Sequence, residues 1–188
     1  MSTTAIIIIA VILIVTTIII GIYNRLVKLR NHRENAFADI DVQLKQRYDL
    51  IPQIVETVKG FAKHERETLA RVIELRNQAV AATTIDGKIA DENQLSSALS
   101  GLKVTLEAYP QLKANQNLLQ LQEEMSDIEN KLASVRRFFN SATKEYNNAV
   151  QTFPSNVFAQ MFGFSKAEMF DLGATRATHE GAPKINFE

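Results

Sequence analysis

The sequence has no cysteine, which excludes disulfides, thiolate metal sites, thiol catalysis and lipid attachment through a cysteine. Tryptophan is absent too, and only 7 glycines and 4 prolines interrupt 188 residues. So few breakers favour long uninterrupted helices. There is no excess of either charge, with 21 Lys and Arg against 21 Asp and Glu. The chain therefore has no global electrostatic attraction to nucleic acid or to an anionic surface, and no nucleic-acid partner is expected.

Catalytic signatures are equally scarce. The histidines are His32, His64 and His179. A zinc-protease motif would need His at position 68, which is Thr68, and a Glu-x-x-His di-iron motif would need Glu at Leu29, Phe61 or Arg176. The carboxylate pairs Asp39 with Asp41 and Glu123 with Glu124 are spaced so that their side chains leave a helix on different sides. They read as solvated faces or as partners of Lys45 and Arg47. No phosphate-binding glycine loop or nucleophile elbow occurs. We expect no enzymatic activity, no metal and no cofactor.

What the chain does have is a long charge-free run near its start. Residues Ala5 to Ile22 contain Thr16 and Thr17 as their only polar side chains. At ~1.5 Å per residue the run spans about 27 Å, close to the ~30 Å hydrocarbon core of a bilayer. Each Ile or Val favours insertion by roughly 0.3–0.6 kcal/mol. A cleaved leader would need basic residues before the run and small residues after it. Met1-Ser2-Thr3-Thr4 precedes it and Tyr23-Asn24-Arg25-Leu26 follows. Arg25, Lys28, Arg30 and Arg33 crowd the C-terminal flank, so the positive-inside rule places the N-terminus outside and the rest in the cytoplasm.

The remainder reads as helices. No Pro or Gly lies between Asn24 and Arg47, and Leu26, Arg33, Phe37, Ile40 and Leu44 recur at helical spacing, with Arg33 the polar exception. Tyr48-Asp49-Leu50-Ile51-Pro52 predicts an interruption, with Asp49 as N-cap of a second helix reaching Ala82. Gly60 would sit inside that helix, at a cost of about 1 kcal/mol against Ala, and would allow close helix approach. Asp86-Gly87 predicts a loop, and Asp91 with Gln94 predicts the start of a short third helix ending at Tyr109-Pro110. The fourth has the clearest pattern. Leu118, Leu121, Met125, Ile128, Leu132, Val135, Phe139, Ala142, Tyr146 and Ala149 recur in steps of three and four, a heptad seam for lengthwise packing. Phe153-Pro154 ends it, and Ser155 would cap a short helix to Phe162.

The resulting expectation is an all-α fold. An N-terminal transmembrane helix continues into an antiparallel bundle of long helices, three long and one short, plus a short C-terminal helix. Its divisions are a short N-terminus at 1–4, a transmembrane helix at 5–23, a bundle at 24–164 and a tail at 165–188 that is expected to be poorly ordered. Five of the ten phenylalanines fall between Phe153 and Phe170. Phe153, Phe158, Met161, Phe162 and Phe164 form a candidate interaction patch. Lys166 is the segment's only basic residue, so its composition favours packing or subunit contact over a membrane surface.

Several segments together resemble one family. They include Tyr23-Asn24-Arg25-Leu26-Val27, the run Ile40-Asp41-Val42-Gln43-Leu44-Lys45-Gln46-Arg47-Tyr48-Asp49-Leu50-Ile51-Pro52, Val55-Glu56-Thr57-Val58-Lys59-Gly60, and Arg136-Arg137-Phe138-Phe139-Asn140. Tyr109-Pro110, Phe153-Pro154-Ser155 and the ending Pro183-Lys184-Ile185-Asn186-Phe187 fit as well. The pattern, from the anchor to Phe164, is similar to that of the bacterial LemA family. The resemblance implies a bacterial chain with a membrane helix and a bundle of long antiparallel helices, and it transfers no active site. It also implies a neighbourhood of membrane proteases of the stress response. Three functions follow in order of expectation. The first is a self-associating scaffold in the bacterial inner membrane, with the lipid bilayer and further copies of itself as partners. The second is an adaptor or regulator of a membrane protease or other envelope-stress partner. An enzyme is a distant third.

Overall fold

A computed structural model describes residues 2–170. Helix α1 spans Thr3–Lys59, α2 Arg66–Ala81, α3 Ile85–Glu107, α4 Pro110–Lys113, α5 Gln116–Gln151 and α6 Ser155–Met161, with a single 3-10 turn at Lys63–Glu65. No strand occurs among the described residues. The all-α expectation holds, with α1 carrying the apolar run directly into the bundle. The described residues divide into two compact units, one of residues 2–39 and 138–168 and one of residues 40–137 with 169–170.

In the first unit the apolar run of α1 lies open. Ile7, Ile12 and Leu13 are exposed, and none of the membrane-length window is buried. A helix in the core of a soluble protein would hide these side chains; this one does not. The hydroxyls of Thr16 and Thr17 donate to the carbonyls of Ile12 and Leu13, each at 2.8 Å, so neither brings an unsatisfied donor into an apolar setting. Below the run, Leu26 packs with Tyr146, Ala149, Val150, Ala159 and Phe164. Arg33, the polar exception in the spacing, is buried with its guanidinium 5.0 Å from the Phe139 ring centre, and it donates to the Glu168 carbonyl at 3.2 Å.

In the second unit the interruption expected at Tyr48–Pro52 is absent. The helix passes through Pro52 unbroken to Lys59. Pro52 has no N–H to give to the Tyr48 carbonyl one turn back. Arg76 of α2 supplies the missing bond, its Nε donating to that carbonyl at 3.1 Å. Leu50, Ile51 and Ile54 are all buried, so packing on both sides of the proline offsets its cost. The true break comes at Gly60, which lies beyond the end of α1, and a Cβ there would meet nothing within 4 Å. Gly60 thus ends a helix and serves no close approach. We expect Arg76→Met to cost about 1–3 kcal/mol by leaving the Tyr48 carbonyl bare. In a Pro52→Ala background, where the helix regains its own N–H, the same change should cost less. Equilibrium unfolding of the four proteins in that cycle checks the coupling.

The boundaries of α3 also shift. Thr84 caps it by accepting from the Gly87 N–H at 3.1 Å, so Asp86 and Gly87 form its first turn and Asp91 lies inside it. A Cβ at Gly87 would come within 2.8 Å of the Thr84 hydroxyl, so glycine leaves the cap room. The helix has 23 residues and α2 has 16, so the shorter of the pair is the second helix and not the third. Helix α5 starts where Asn115 Oδ1 accepts from the Leu118 N–H at 3.1 Å. Its seam is buried at Leu118, Ile128, Leu132, Phe139, Ala142, Tyr146 and Ala149 and half-buried at Leu121, Met125 and Val135. Ser155 is the first residue of α6 and not its cap. Its hydroxyl lies against the carbonyls of Ala149 and Thr152 that end α5.

Residues 165–168 lie against α5. Tyr146 donates to the Ser165 carbonyl at 2.9 Å, and the Asn147 amide bonds both the N–H and the carbonyl of Ala167 at 2.8 and 2.9 Å. The rest of the expected tail, with His179 and the Pro183–Phe187 ending, lies outside the described residues.

Candidate functional site

Two arrangements stand apart from ordinary packing, one in each unit. In the second unit, α1 and α3 each bury a charged side chain at the same place, and α5 brings a half-buried one to them. Glu92 is fully buried, and its Oε2 accepts from Arg47 at 2.8 Å and from Arg136 at 3.1 Å. Arg47 is 1% exposed and also reaches Ser96 at 3.1 Å and Glu129 at 2.9 Å. Burial and the Arg47 charge pull the Arg136 pKa down, while Glu92 and Glu129 oppose that shift. Tyr48 lies in the same environment; burial first, and then the Glu92 carboxylate, push its phenol pKa well above the usual value. The charges balance as two cations against two carboxylates.

This cluster was not anticipated from the sequence. The spacing offers the carboxylates at Asp39 and Asp41 either as a solvated face or as partners of Lys45 and Arg47; in the fold Asp41 pairs with Lys88 at 2.6 Å, and Arg47 turns inward to Glu92. The signal was present in the spacing. Arg47 falls between Leu44 and Ile51, Glu92 between Ile89 and Leu95, and Arg136 between Leu132 and Phe139, each at a step that continues a buried face.

The cluster resembles no catalytic constellation. It contains no nucleophile beside a base, and both cations are already engaged by carboxylates. Among the described residues no three His, Asp or Glu side chains are grouped to hold a metal ion. His32 stacks edge-on against Phe138 at 5.7 Å. Beside the cluster, a groove of about 380 Å³ opens between α1, α3 and α5, lined by Ile54, Leu99, Leu102, Leu106 and Met125 with Glu129 at one side.

In the first unit the structure divides the candidate patch. Phe164 is buried against Leu26, with the Arg30 guanidinium 5.3 Å from its ring centre. Phe158 is half-buried. Phe153, Met161 and Phe162 face outward, at 79%, 72% and 44% exposure. Ala5 lies in the first turns of α1, and Ile22, at the other end of the run, packs onto the Leu26 cluster. Next to Ile22, the Tyr23 ring meets Phe162 edge-on at 5.1 Å and Phe164 at 5.9 Å.

A helix long and apolar enough to cross a membrane, leading into a bundle of long helices with a largely buried ionic cluster, defines a class of helical-bundle proteins. Comparison with known families gives that class a name. The sequence pattern of the LemA family matches residues 36–187, and the chain belongs to the LemA family. The match begins after the apolar run and reaches the Pro183–Phe187 ending. Protein LemA of Metamycoplasma hominis is 26% identical over 80% of this chain and 69% of its own length. Magnetosome protein MamQ of Magnetospirillum gryphiswaldense is 22% identical over 79% of this chain, and MamQ 1 of Paramagnetospirillum magneticum is 20% identical over the same share. The chain spans 64% of the length of these two MamQ proteins, a little under two thirds.

Proposed function

We propose that this protein is a non-enzymatic scaffold held in the bacterial inner membrane by residues 5–23, which self-associates laterally to organise or shape that membrane. The observation that carries the reading is the exposed, membrane-length apolar run, continuous in one helix with the bundle and matched to no buried surface. Exposed Arg25, Lys28 and Arg30 follow it at once and orient the bundle to the cytoplasm, with the N-terminus outside. The magnetosome relatives fit a role at a membrane. The test is the size of the full-length protein in lipid nanodiscs or detergent. Oligomers that grow with concentration are expected, and a monomer at high concentration would overturn the reading.

The anchor itself has a direct test. Ile12 lies near the middle of the run, and an arginine there costs about 2.5–3.5 kcal/mol on the insertion scale. Ile12→Arg should weaken retention in carbonate-washed vesicles while far-UV circular dichroism stays helical. Collapse of the bundle instead would show that the run belongs to a protein core.

The groove beside Leu99 and Leu106 favours a second reading, an adaptor that presents or regulates a membrane protease or other envelope-stress partner. Apolar side chains interspersed with polar ones, with Lys103 and Glu129 as the charged members, suit an amphipathic helix. Native-membrane purification that recovers no protease or other enzyme in stoichiometric amount would remove it.

A further inference from the structure

We propose that α6 and its flanking residues form an aromatic wedge seated in the headgroup boundary of the same bilayer that α1 crosses. The proposal rests on the reading of α1 as a membrane helix and adds a second point of lipid contact.

The position follows from α1. Its apolar run ends at Ile22, and Tyr23 begins the basic flank. At ~1.5 Å per residue, Ile22, Tyr23 and Leu26 all lie within about one helical turn of the end of the run. These are the residues that α6 and the turn after it touch. Ala159 and Phe164 are buried with Leu26 and Ile22, and Phe162 lies against Tyr23 at 5.1 Å. A segment fastened at that level sits at the depth of the lipid headgroups once α1 is inserted.

The exposed chemistry fits that depth. One face of α6 is fixed to α1, and what remains outward is Phe153, Val157, Met161 and Phe162. No charged side chain occurs from Tyr146 through Ser165, so no ionic group would have to leave water. The segment's own lack of Lys and Arg argues against a surface helix that works alone. The fold supplies the cations from the neighbouring helix instead. Arg25 and Lys28 are exposed on α1 within about two turns of the end of the apolar run, at the level of lipid phosphates. Met and Phe are poor choices for a face left in water and good ones for the acyl boundary.

The absence of tryptophan makes the test clean, because each introduced probe is unique. Met161→Trp, Ile12→Trp and Val104→Trp are made separately in the full chain. Val104 is 69% exposed on α3 and reports water. The proteins are reconstituted in phosphatidylcholine–phosphatidylglycerol vesicles carrying bromine either near the headgroup or at the middle of the acyl chain. The 161 probe should be blue-shifted and lose more emission to shallow than to deep bromine. The 12 probe should show the reverse order, and the 104 probe should lose none. A 161 probe that behaves like the 104 probe, while the 12 probe is quenched, overturns the wedge and leaves the anchor intact. An unquenched 12 probe sinks the anchor and the wedge with it. A blue-shifted 161 probe that no bromine reaches overturns the wedge in favour of contact with a second copy.

Discussion

Glu92→Ala should destabilise the bundle by about 3–5 kcal/mol, the largest effect expected of any single truncation in the chain. The argument is one of uncompensated charge. Glu92 Oε2 is held by two guanidinium groups, and Arg47 is as deeply buried as Glu92 itself. Taking the carboxylate away leaves Arg47 with Glu129 as its only acidic partner, and Arg136 with none among the described ion pairs. Arg136 already has its pKa lowered by burial and by Arg47, and losing Glu92 removes a charge that opposes both influences. Glu92→Gln keeps the shape but not the charge and should cost less. Replacing all three members by apolar residues of similar volume, Arg47→Met with Glu92→Leu and Arg136→Leu, should recover most of the loss. Denaturant unfolding followed by circular dichroism checks the series. A triple variant as unstable as Glu92→Ala would show that the loss is one of packing.

Leu132→Asp is the second large effect. Leu132 is fully buried at the centre of the α5 seam. Truncation of such a leucine to alanine costs about 2–5 kcal/mol through lost burial and the cavity left behind. A carboxylate adds the cost of a polar group in an apolar site with no donor arranged for it. The sum is large against the roughly 5–15 kcal/mol of a typical domain, so loss of cooperative melting is the expected result. Leu119 provides the control. It lies on the same helix but is 37% exposed, and Leu119→Asp should change stability by about 0.5 kcal/mol or less. Equal melting of the two variants would remove the seam.

How much of this was legible in the sequence depended on distance along the chain. The apolar run and the α5 seam are written in consecutive residues, and both emerge as helical stretches, the run exposed and the seam largely buried. Pro52 shows where local rules end. Proline signals a break from its own covalent structure, but the helix survives it because Arg76, on the following α-helix, takes up the stranded carbonyl. Asp86-Gly87 misled for a similar reason: a dipeptide typical of turns serves here as the first turn of α3 under the Thr84 cap. The candidate patch was legible as a cluster but not as a division. That Phe164 turns inward and Phe153 outward is decided by where Leu26 and Tyr23 lie. The ionic cluster required three helices to be superposed, and no single helix announces it.

Seams of leucine, isoleucine and alanine repeated every three or four residues have a weakness. Moving one helix along another by seven residues exchanges one apolar side chain for its like and is barely resisted by hydrophobic burial. Here such a shift of α5 would carry Arg136 roughly 10 Å from Glu92 at ~1.5 Å per residue. The carboxylate would lose a cation, and the cation would arrive among leucines. The three charged residues thus act as an alignment key. Compared with apolar residues of the same volume they are expected to add little stability, and their expected contribution is to fix the notch at which the helices stop sliding.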